Sequence, residues 1–307
     1  KLEELEKAGK PIKVGLVGAG FAGRGFMLQM LTTVRGMKLV ATSNRTRSYA
    51  ALGFKQAKFK NYKDVSNLES LDKTIKSGKV ALTNKPFLLT DSSQIDVIVE
   101  ATGEVEFGAQ VVMRAINNKK HVVLINAELD STLGPILKAK ADKAGVVYTQ
   151  ADGDQPGVLM NLYRQVKSWG FKPVMVGNIK SLIDVRRTPA TQAKFAKGHF
   201  QRPKMVTSFA DGTKIGAEMA TIANATGFPV KKRGMEGPKC DRVENAYKLF
   251  DFKKLTTTGL TDYILGAEPS FGVFVLATCD QPIRARYMSV YKMGEGPLYT
   301  FYVPYHL

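Results

Sequence analysis

Short apolar runs alternate with helical spacings through the first half of the chain. Ile12 to Val17 is a continuous apolar stretch, glycines follow it, and a helical pattern then extends to about Val34. Met37 to Thr42 predicts the next strand, and Asp96 to Ala101 another that ends in Thr102-Gly103. A helix follows, then the strand His121 to Ile125, a helix over Ser131 to Ala144, and the strand Val146 to Gln150. β-Branched runs joined by helices of this length predict a parallel sheet covered on both faces. The stretch of about 51–95 is rich in Lys and Asn, with one helix expected near Ser70 to Ser77. It is long for a connection in such a sheet and reads as an insertion serving as a flap or a partner contact.

After Asp152 the pattern changes. Pro156 to about Trp169 predicts a helix and Val174 to Ile179 a strand. A polar segment with Arg186, Arg187 and Arg202 leads to one long helix from about Asp211 to Thr226. Phe271 to Tyr305 reads as antiparallel strands, with Gly294-Glu295-Gly296-Pro297 as a turn.

The chain has 307 residues, 44% hydrophobic and 23% charged, enough for one large or two medium domains with buried cores. No apolar stretch approaches the roughly 18 residues that span a bilayer, so a soluble protein without a membrane partner is expected. Lys1 to Lys10 is charged and helix-like, without the apolar core of a secretory signal. The first residue is not Met, which reads as a start inside the natural chain. Cys240 and Cys279 form no Cys-x-x-Cys pair, which argues against a disulfide framework and fits a reducing cytoplasm. His121, His199 and His306 share no metal-ligand spacing and read as structural. A net charge of +18 could serve nucleic acid, but the lysines are spread along the chain and no nucleic-acid motif accompanies them. Solvated lysine faces and a small anionic or polar substrate explain the charge better.

Gly18-Ala19-Gly20-Phe21-Ala22-Gly23 directly follows an apolar strand and opens a helix. In that context a G-x-G-x-x-G is a dinucleotide loop. Gly18 allows the tight turn, Gly20 the approach of a pyrophosphate, and Gly23 the close packing of helix on strand. The helix N-terminus offers its free N–H groups to the phosphates. Where an NAD enzyme places an acidic residue for the ribose, this chain reads Ser43-Asn44-Arg45-Thr46-Arg47. Without a carboxylate to repel a 2′-phosphate, and with Arg45 and Arg47 to pair with it, NADP(H) is the expected cofactor. Thr102, Gly103 and Asn126, at later strand ends, complete the expected cofactor contacts. The fold class is therefore α/β: an N-terminal Rossmann parallel sheet over 1–155, then an α+β catalytic and oligomerisation half over 156–307. A homodimer or homotetramer is expected.

Several motifs resemble one family across essentially the whole chain. They are Thr207-Ser208-Phe209-Ala210-Asp211-Gly212-Thr213-Lys214, Glu218, Ala223-Asn224-Ala225-Thr226-Gly227, Asp152-Gly153-Asp154-Gln155-Pro156-Gly157, Gly177-Asn178-Ile179-Lys180 and Lys292-Met293-Gly294-Glu295-Gly296-Pro297-Leu298-Tyr299. The family is the homoserine-dehydrogenase-like oxidoreductases, which usually carry a C-terminal SAF domain beyond the position of Leu307. Some of its members act as a 1-deoxy-D-xylulose 5-phosphate reductoisomerase. Homoserine dehydrogenases use an Asp and a Lys on one helix, plus a Lys after the strand that ends in Asn. The resemblance gives Asp211 and Lys214 the helix roles, with Lys214 polarising the carbonyl oxygen and Asp211 orienting it. After the strand this chain reads Asn126-Ala127-Glu128, so that second lysine is missing and Lys180 is the candidate to replace its charge.

The residues point to a site at this helix on their own. Asp211, Lys214 and Glu218 fall at i, i+3 and i+7, on one helical face beside the apolar stripe of Ile215, Met219 and Ile222. Asp154 is placed to cap the helix that begins near Pro156. Glu128 and Asp152 are candidate ligands for Mg²⁺ or Mn²⁺ in a reductoisomerase. The expected activity is hydride transfer between NADP(H) and a small polar carbonyl or alcohol, a phosphorylated one in the reductoisomerase-like case, with homoserine oxidation as the alternative. A non-catalytic NADP-binding sensor is the rival of another class, and the stripe of Asp211, Lys214 and Glu218 argues against it.

Overall fold

A computed structural model of the chain describes residues 1–199 and 201–304. The expected strand end at Tyr305, and His306, lie outside the described residues. Two compact units meet in sequence between Ala151 and Asp152, ahead of the 155/156 boundary expected above. Among the described residues no helix is long and apolar enough to cross a membrane.

The first unit runs α1 (Leu2–Lys7), β1 (Ile12–Val17), α2 (Phe21–Thr32), β2 (Met37–Ser43), α3 (Arg47–Gln56), β3 (Tyr62–Asp64), α4 (Leu68–Lys76), β4 (Val80–Thr83), α5 (Phe87–Asp91), β5 (Val97–Glu100), α6 (Val105–Asn117), β6 (His121–Leu124), α7 (Ala127–Ala144) and β7 (Tyr148–Gln150). The strands form one parallel sheet in the order β3-β4-β2-β1-β5-β6-β7. Alternation along β1 explains its apolar run. Val14 and Leu16 pack with Met27 and Phe54 on one side, while Val17 packs with Ile98, Val111 and Leu129 on the other.

The stretch of 51–95 is not a flap. Its buried Val80–Thr83 pairs with β2, and Tyr62–Asp64 pairs with Val80–Thr83, so the segment extends the sheet. Strands of three or four residues carry too few positions for period-two alternation to stand out among lysines. The expected helix near Ser70 is α4, which starts at Leu68 because Asn67 and Ser70 form a reciprocal cap. The helix expected from Ser131 starts at Ala127, where Asn126 caps it by accepting from the Leu129 N–H. Glu128 therefore lies in a first helical turn.

The second unit runs α8 (Gln155–Ser168), β8 (Lys172–Lys180), α9 (Pro189–Gly198), α10 (Pro203–Ala210), α11 (Thr213–Thr226), a 3₁₀ turn (Val243–Leu249), α12 (Phe252–Thr258), β9 (Leu260–Leu265), β10 (Gly272–Thr278), α13 (Pro282–Val290) and β11 (Leu298–Val303). Its mixed sheet has the order β11-β10-β8-β9, with β8 and β9 parallel and β10 antiparallel to both neighbours. β10 and β11 are the antiparallel strands expected at the end, but α13 lies between them and Gly294–Pro297 leads into β11. Along β8, Met175 and Ile179 join the core that holds Val243, Leu255 and Ile264. Val176 faces the opposite way, toward Leu159, Val166 and Ile222 of α8 and α11. The same alternation carries Asn178 and Lys180 to the α8 and α11 face.

Asp262, fully buried on β9, anchors the turn beside it. Its carboxylate accepts from the backbone N–H groups of Glu236 at 3.0 Å, Gly237 at 3.0 Å and Tyr263 at 2.7 Å. Asp262→Ala is expected to cost at least about 3 kcal/mol, because it leaves buried N–H groups that had charged acceptors. Urea unfolding measures this, and a loss under about 1 kcal/mol would show that the turn holds without the carboxylate.

Candidate active site

The glycine loop leaves β1 at Gly18, whose φ is +103°. A Cβ there would lie 2.6 Å from the Ala101 carbonyl, and one on Gly23 would lie 2.1 Å from the Gly18 oxygen. Both positions therefore require glycine. At Gly20 the reverse holds: no heavy atom lies within 4 Å of a Cβ position. That space opens in front of α2, which has no side-chain cap and no acidic residue in its first turn. The N–H groups of Phe21, Ala22 and Gly23 thus begin a helix with room for a pyrophosphate, and the residues present fit a dinucleotide.

The other expected cofactor residues gather at the carboxyl ends of the same strands, where open α/β sheets bind ligands. Asn44 is committed to the loop itself. Its Oδ1 accepts from the Ala19 N–H at 2.9 Å and its Nδ2 donates to the Thr46 carbonyl at 2.7 Å. Arg45 is exposed, whereas Arg47 opens α3 and reaches Asn84 at 3.2 Å and Asp64 at 3.6 Å. Thr102 and Gly103 are partly exposed beyond β5. The Asn126 side chain is occupied within the fold. It is 1% exposed, with Nδ2 donating to Glu100 at 2.7 Å and Oδ1 capping α7, so its amide shapes the sheet edge.

Sequence reasoning missed two groups here. Glu100 is buried and accepts from the Thr102 N–H at 2.8 Å as well as from Asn126. Burial pushes its carboxyl above the usual range, against those two donors. A charge closing the apolar Val97–Glu100 strand was the available signal. Arg24, buried in α2, donates to the Ala19 carbonyl at 3.2 Å and lies over the Tyr49 ring.

In the second unit, charges collect where β8 ends and α8 and α11 begin. Asp154 caps α8 by accepting from the Gln155 N–H at 3.0 Å. Lys214, in the first turn of α11, lies 3.6 Å from Glu218 and 3.8 Å from Asp154. Its Nζ also sits 5.0 Å from the centroid of the Phe209 ring. Lys180, the last residue of β8, donates to Gln155 Oε1 at 3.3 Å, and Asn178 donates to the same oxygen at 2.6 Å. Lys180, Lys214 and Glu218 are thus brought together, joined by Asp154 and by the unforeseen Gln155. Burial lowers the proton affinity of the Lys180 amine. Lys214 adds to that effect, while Glu218 and Asp154 oppose it.

Asp211 does not share the helix with Lys214. Gly212, at φ +90°, is the N-cap of α11, so the helix expected from Asp211 starts at Thr213, and Asp211 instead caps the C-terminus of α10. Asp211 Oδ1 then accepts from the Thr213 N–H at 2.8 Å and from its hydroxyl at 2.7 Å. The Asp-Gly pair was a turn signal that the apolar stripe overrode. That stripe is as expected: Ile215, Met219 and Ile222 are buried.

The candidate metal ligands fare differently. Asp152 Oδ1 accepts from Asn161 Nδ2 at 2.9 Å, and Glu128 is an acidic first-turn residue that suits the N-terminal end of α7. Among the described residues no group of three or more His, Cys, Asp or Glu is placed to hold a metal ion. His121 accepts from the Val147 N–H at 3.0 Å and His199 stacks on Phe195, both structural roles.

Comparison with known proteins divides at the same place. The model for the oxidoreductase DRL catalytic domain matches residues 153–307, and that for the homoserine dehydrogenase NAD-binding domain matches residues 18–150. The homoserine dehydrogenase of Methylobacillus glycogenes is 30% identical over 139 residues, which is 44% of this chain and 30% of that protein. That of Bacillus subtilis is 35% identical over 74 residues, 24% of this chain and 17% of that protein. The chain therefore matches less than a third of the length of these curated relatives. Among solved structures, a homoserine dehydrogenase from Thiobacillus denitrificans aligns at TM-score 0.49 and 22% identity, covering 72% of this chain and 50% of that one. A Lactobacillus casei myo-inositol dehydrogenase aligns at TM-score 0.49 and 11% identity, covering 95% and 74%.

Proposed function

The chain belongs to the oxidoreductase family defined by the DRL catalytic domain, and from that premise we propose that it oxidises a small polar alcohol of the homoserine type, with NADP(H) as cofactor. The observation that carries this reading is the gathering of Lys180 and Lys214 with Glu218 and Asp154 at the end of β8. Oxidising an alcohol removes a hydride from carbon and a proton from oxygen. The bound dinucleotide supplies the hydride acceptor. Lys180, whose buried amine gives up its proton more readily than an ordinary lysine, takes the hydroxyl proton and returns it in the reverse direction. Lys214, which lies 3.6 Å from Glu218 and 3.8 Å from Asp154, stabilises the alkoxide as it forms. In this reading Lys180 takes the place of the lysine that homoserine dehydrogenases use and that this chain lacks after Asn126.

NADP is favoured over NAD because the loop after β2 carries Arg45 and Arg47 and no carboxylate. One charge-assisted contact to a 2′-phosphate contributes roughly 1.5–3 kcal/mol. The double variant Arg45→Ala, Arg47→Ala is expected to weaken NADPH by at least about tenfold and NADH hardly at all. Fluorescence titration decides, and equal losses for both cofactors would remove these arginines from the site.

A second reading has one feature in its favour, Glu128 in the place of that lysine. It would help hold a divalent ion for NADPH-dependent reduction of 1-deoxy-D-xylulose 5-phosphate or a similar phosphorylated ketone. Homoserine and that ketose, each assayed with EDTA and with Mn²⁺, separate the two. EDTA-insensitive homoserine oxidation is expected, and Mn²⁺-dependent turnover of the ketose alone would overturn it. Cofactor binding with no turnover of either would favour a non-catalytic NADP-binding role.

A further inference from the structure

Gln155 is 3% exposed and Asn178 1%, although both sit among the charged groups at the end of β8. Gln155 Oε1 accepts from Asn178 Nδ2 at 2.6 Å and from Lys180 Nζ at 3.3 Å. Two donors on one oxygen fix the direction of the amide, because the reversed amide would turn its own N–H bonds against both. Gln155 Nε2 and Asn178 Oδ1 have no hydrogen-bond partner among the described residues. Buried polar atoms left this way are costly, and an apolar side chain would fill the same space without that cost. Packing alone therefore does not explain a glutamine here.

We infer that Gln155 is the positioning residue of the Lys180 amine: Asn178 locks its amide, and Oε1 then holds Nζ at the end of β8. This deepens the role proposed above for Lys180 and rests on it for its place in the chemistry. A carboxylate in the same position would also hold the amine, but it would keep the ammonium charged and unfit to accept a proton. A neutral oxygen fixes the nitrogen without that charge. Among the described residues, the charged groups facing Lys180 include Glu218 and Lys214 from α11 and Asp154 from the cap of α8, so both signs are already present.

The first readout needs no substrate. Competitive acylation of the full chain with acetic anhydride across pH, read by peptide mass spectrometry, follows the protonation midpoint of Lys180. The exposed Lys138 on α7 is the internal standard. Gln155→Glu is expected to raise the midpoint and slow acylation of Lys180 at a fixed pH by about tenfold. Gln155→Met, which removes the acceptor, is expected to lower the midpoint and speed acylation several-fold, with Lys138 unmoved in both. An unchanged Lys180 profile in the near-isosteric Gln155→Glu overturns the inference. A shifted midpoint with wild-type turnover keeps Gln155 as the positioning residue and takes Lys180 out of the proposed chemistry, so the two failures are told apart.

Discussion

Lys180→Met is expected to lower turnover by at least about 100-fold while dinucleotide affinity stays at the wild-type level. A positioned acid–base group contributes roughly 10²–10⁴ to rate, and methionine keeps the length of the side chain while removing the amine. The residues proposed to hold the dinucleotide are other than Lys180, so its affinity is not expected to depend on this side chain. The pH profile gives a second reading. Oxidation needs the neutral amine, so its rate should rise with pH through the ionisation of Lys180, at a pH below the ordinary lysine value of 10.5. Reduction needs the ammonium and should fall over the same range. Stability moves in the same sense. The native state, with the lowered lysine, binds fewer protons than the unfolded chain, so stability rises as pH climbs from the native pKa toward 10.5. The methionine variant should lose both the kinetic limb and this slope. Wild-type turnover in folded Lys180→Met would move the chemistry to another group.

The second large effect concerns the loop. Gly23→Ala is expected to weaken the dinucleotide by about 10- to 100-fold and to destabilise the first unit by about 1–3 kcal/mol. Its Cβ would stand 2.1 Å from the Gly18 oxygen, and because that contact is to backbone no side chain can turn aside to relieve it. α2 would have to move away from β1, which carries the first-turn N–H groups out of register. Gly20→Ala is the matched control, since nothing lies within 4 Å of its Cβ position. It should leave stability near wild type and still lose affinity, because the methyl enters the space assigned to the pyrophosphate. Tight binding by Gly23→Ala, or by a stable Gly20→Ala, would place the phosphates elsewhere.

What the sequence made legible follows the range of the interactions involved. β1, the glycine loop and α2 are contiguous, and each glycine has a local reason, so the pattern could be read directly. β3 and β4 belong to the same sheet but are too short to show a period, and only their pairing to β2 gives them meaning. The start of α11 after Gly212 was written in the Asp-Gly pair, yet the helical spacing of Asp211 with Lys214 and Glu218 placed Asp211 on that helix. The cluster at the end of β8 was half legible. Lys214 and Glu218 are one helical turn apart on one helix, whereas Lys180 and Gln155 meet only because β8 and α8 pack face to face. Asn44 and Asn126 were placed at the right strand ends, but backbone N–H groups and Glu100 claim their side chains. No local pattern reveals such a claim.

The most direct test uses homoserine carrying deuterium on the carbinol carbon. After a single turnover with NADP, the dinucleotide is examined by mass spectrometry. The expected result is a deuteron on the nicotinamide ring in the wild-type protein, formed at least about 100-fold more slowly in Lys180→Met. A dinucleotide that binds tightly but stays unlabelled would contradict an oxidoreductase acting on this alcohol.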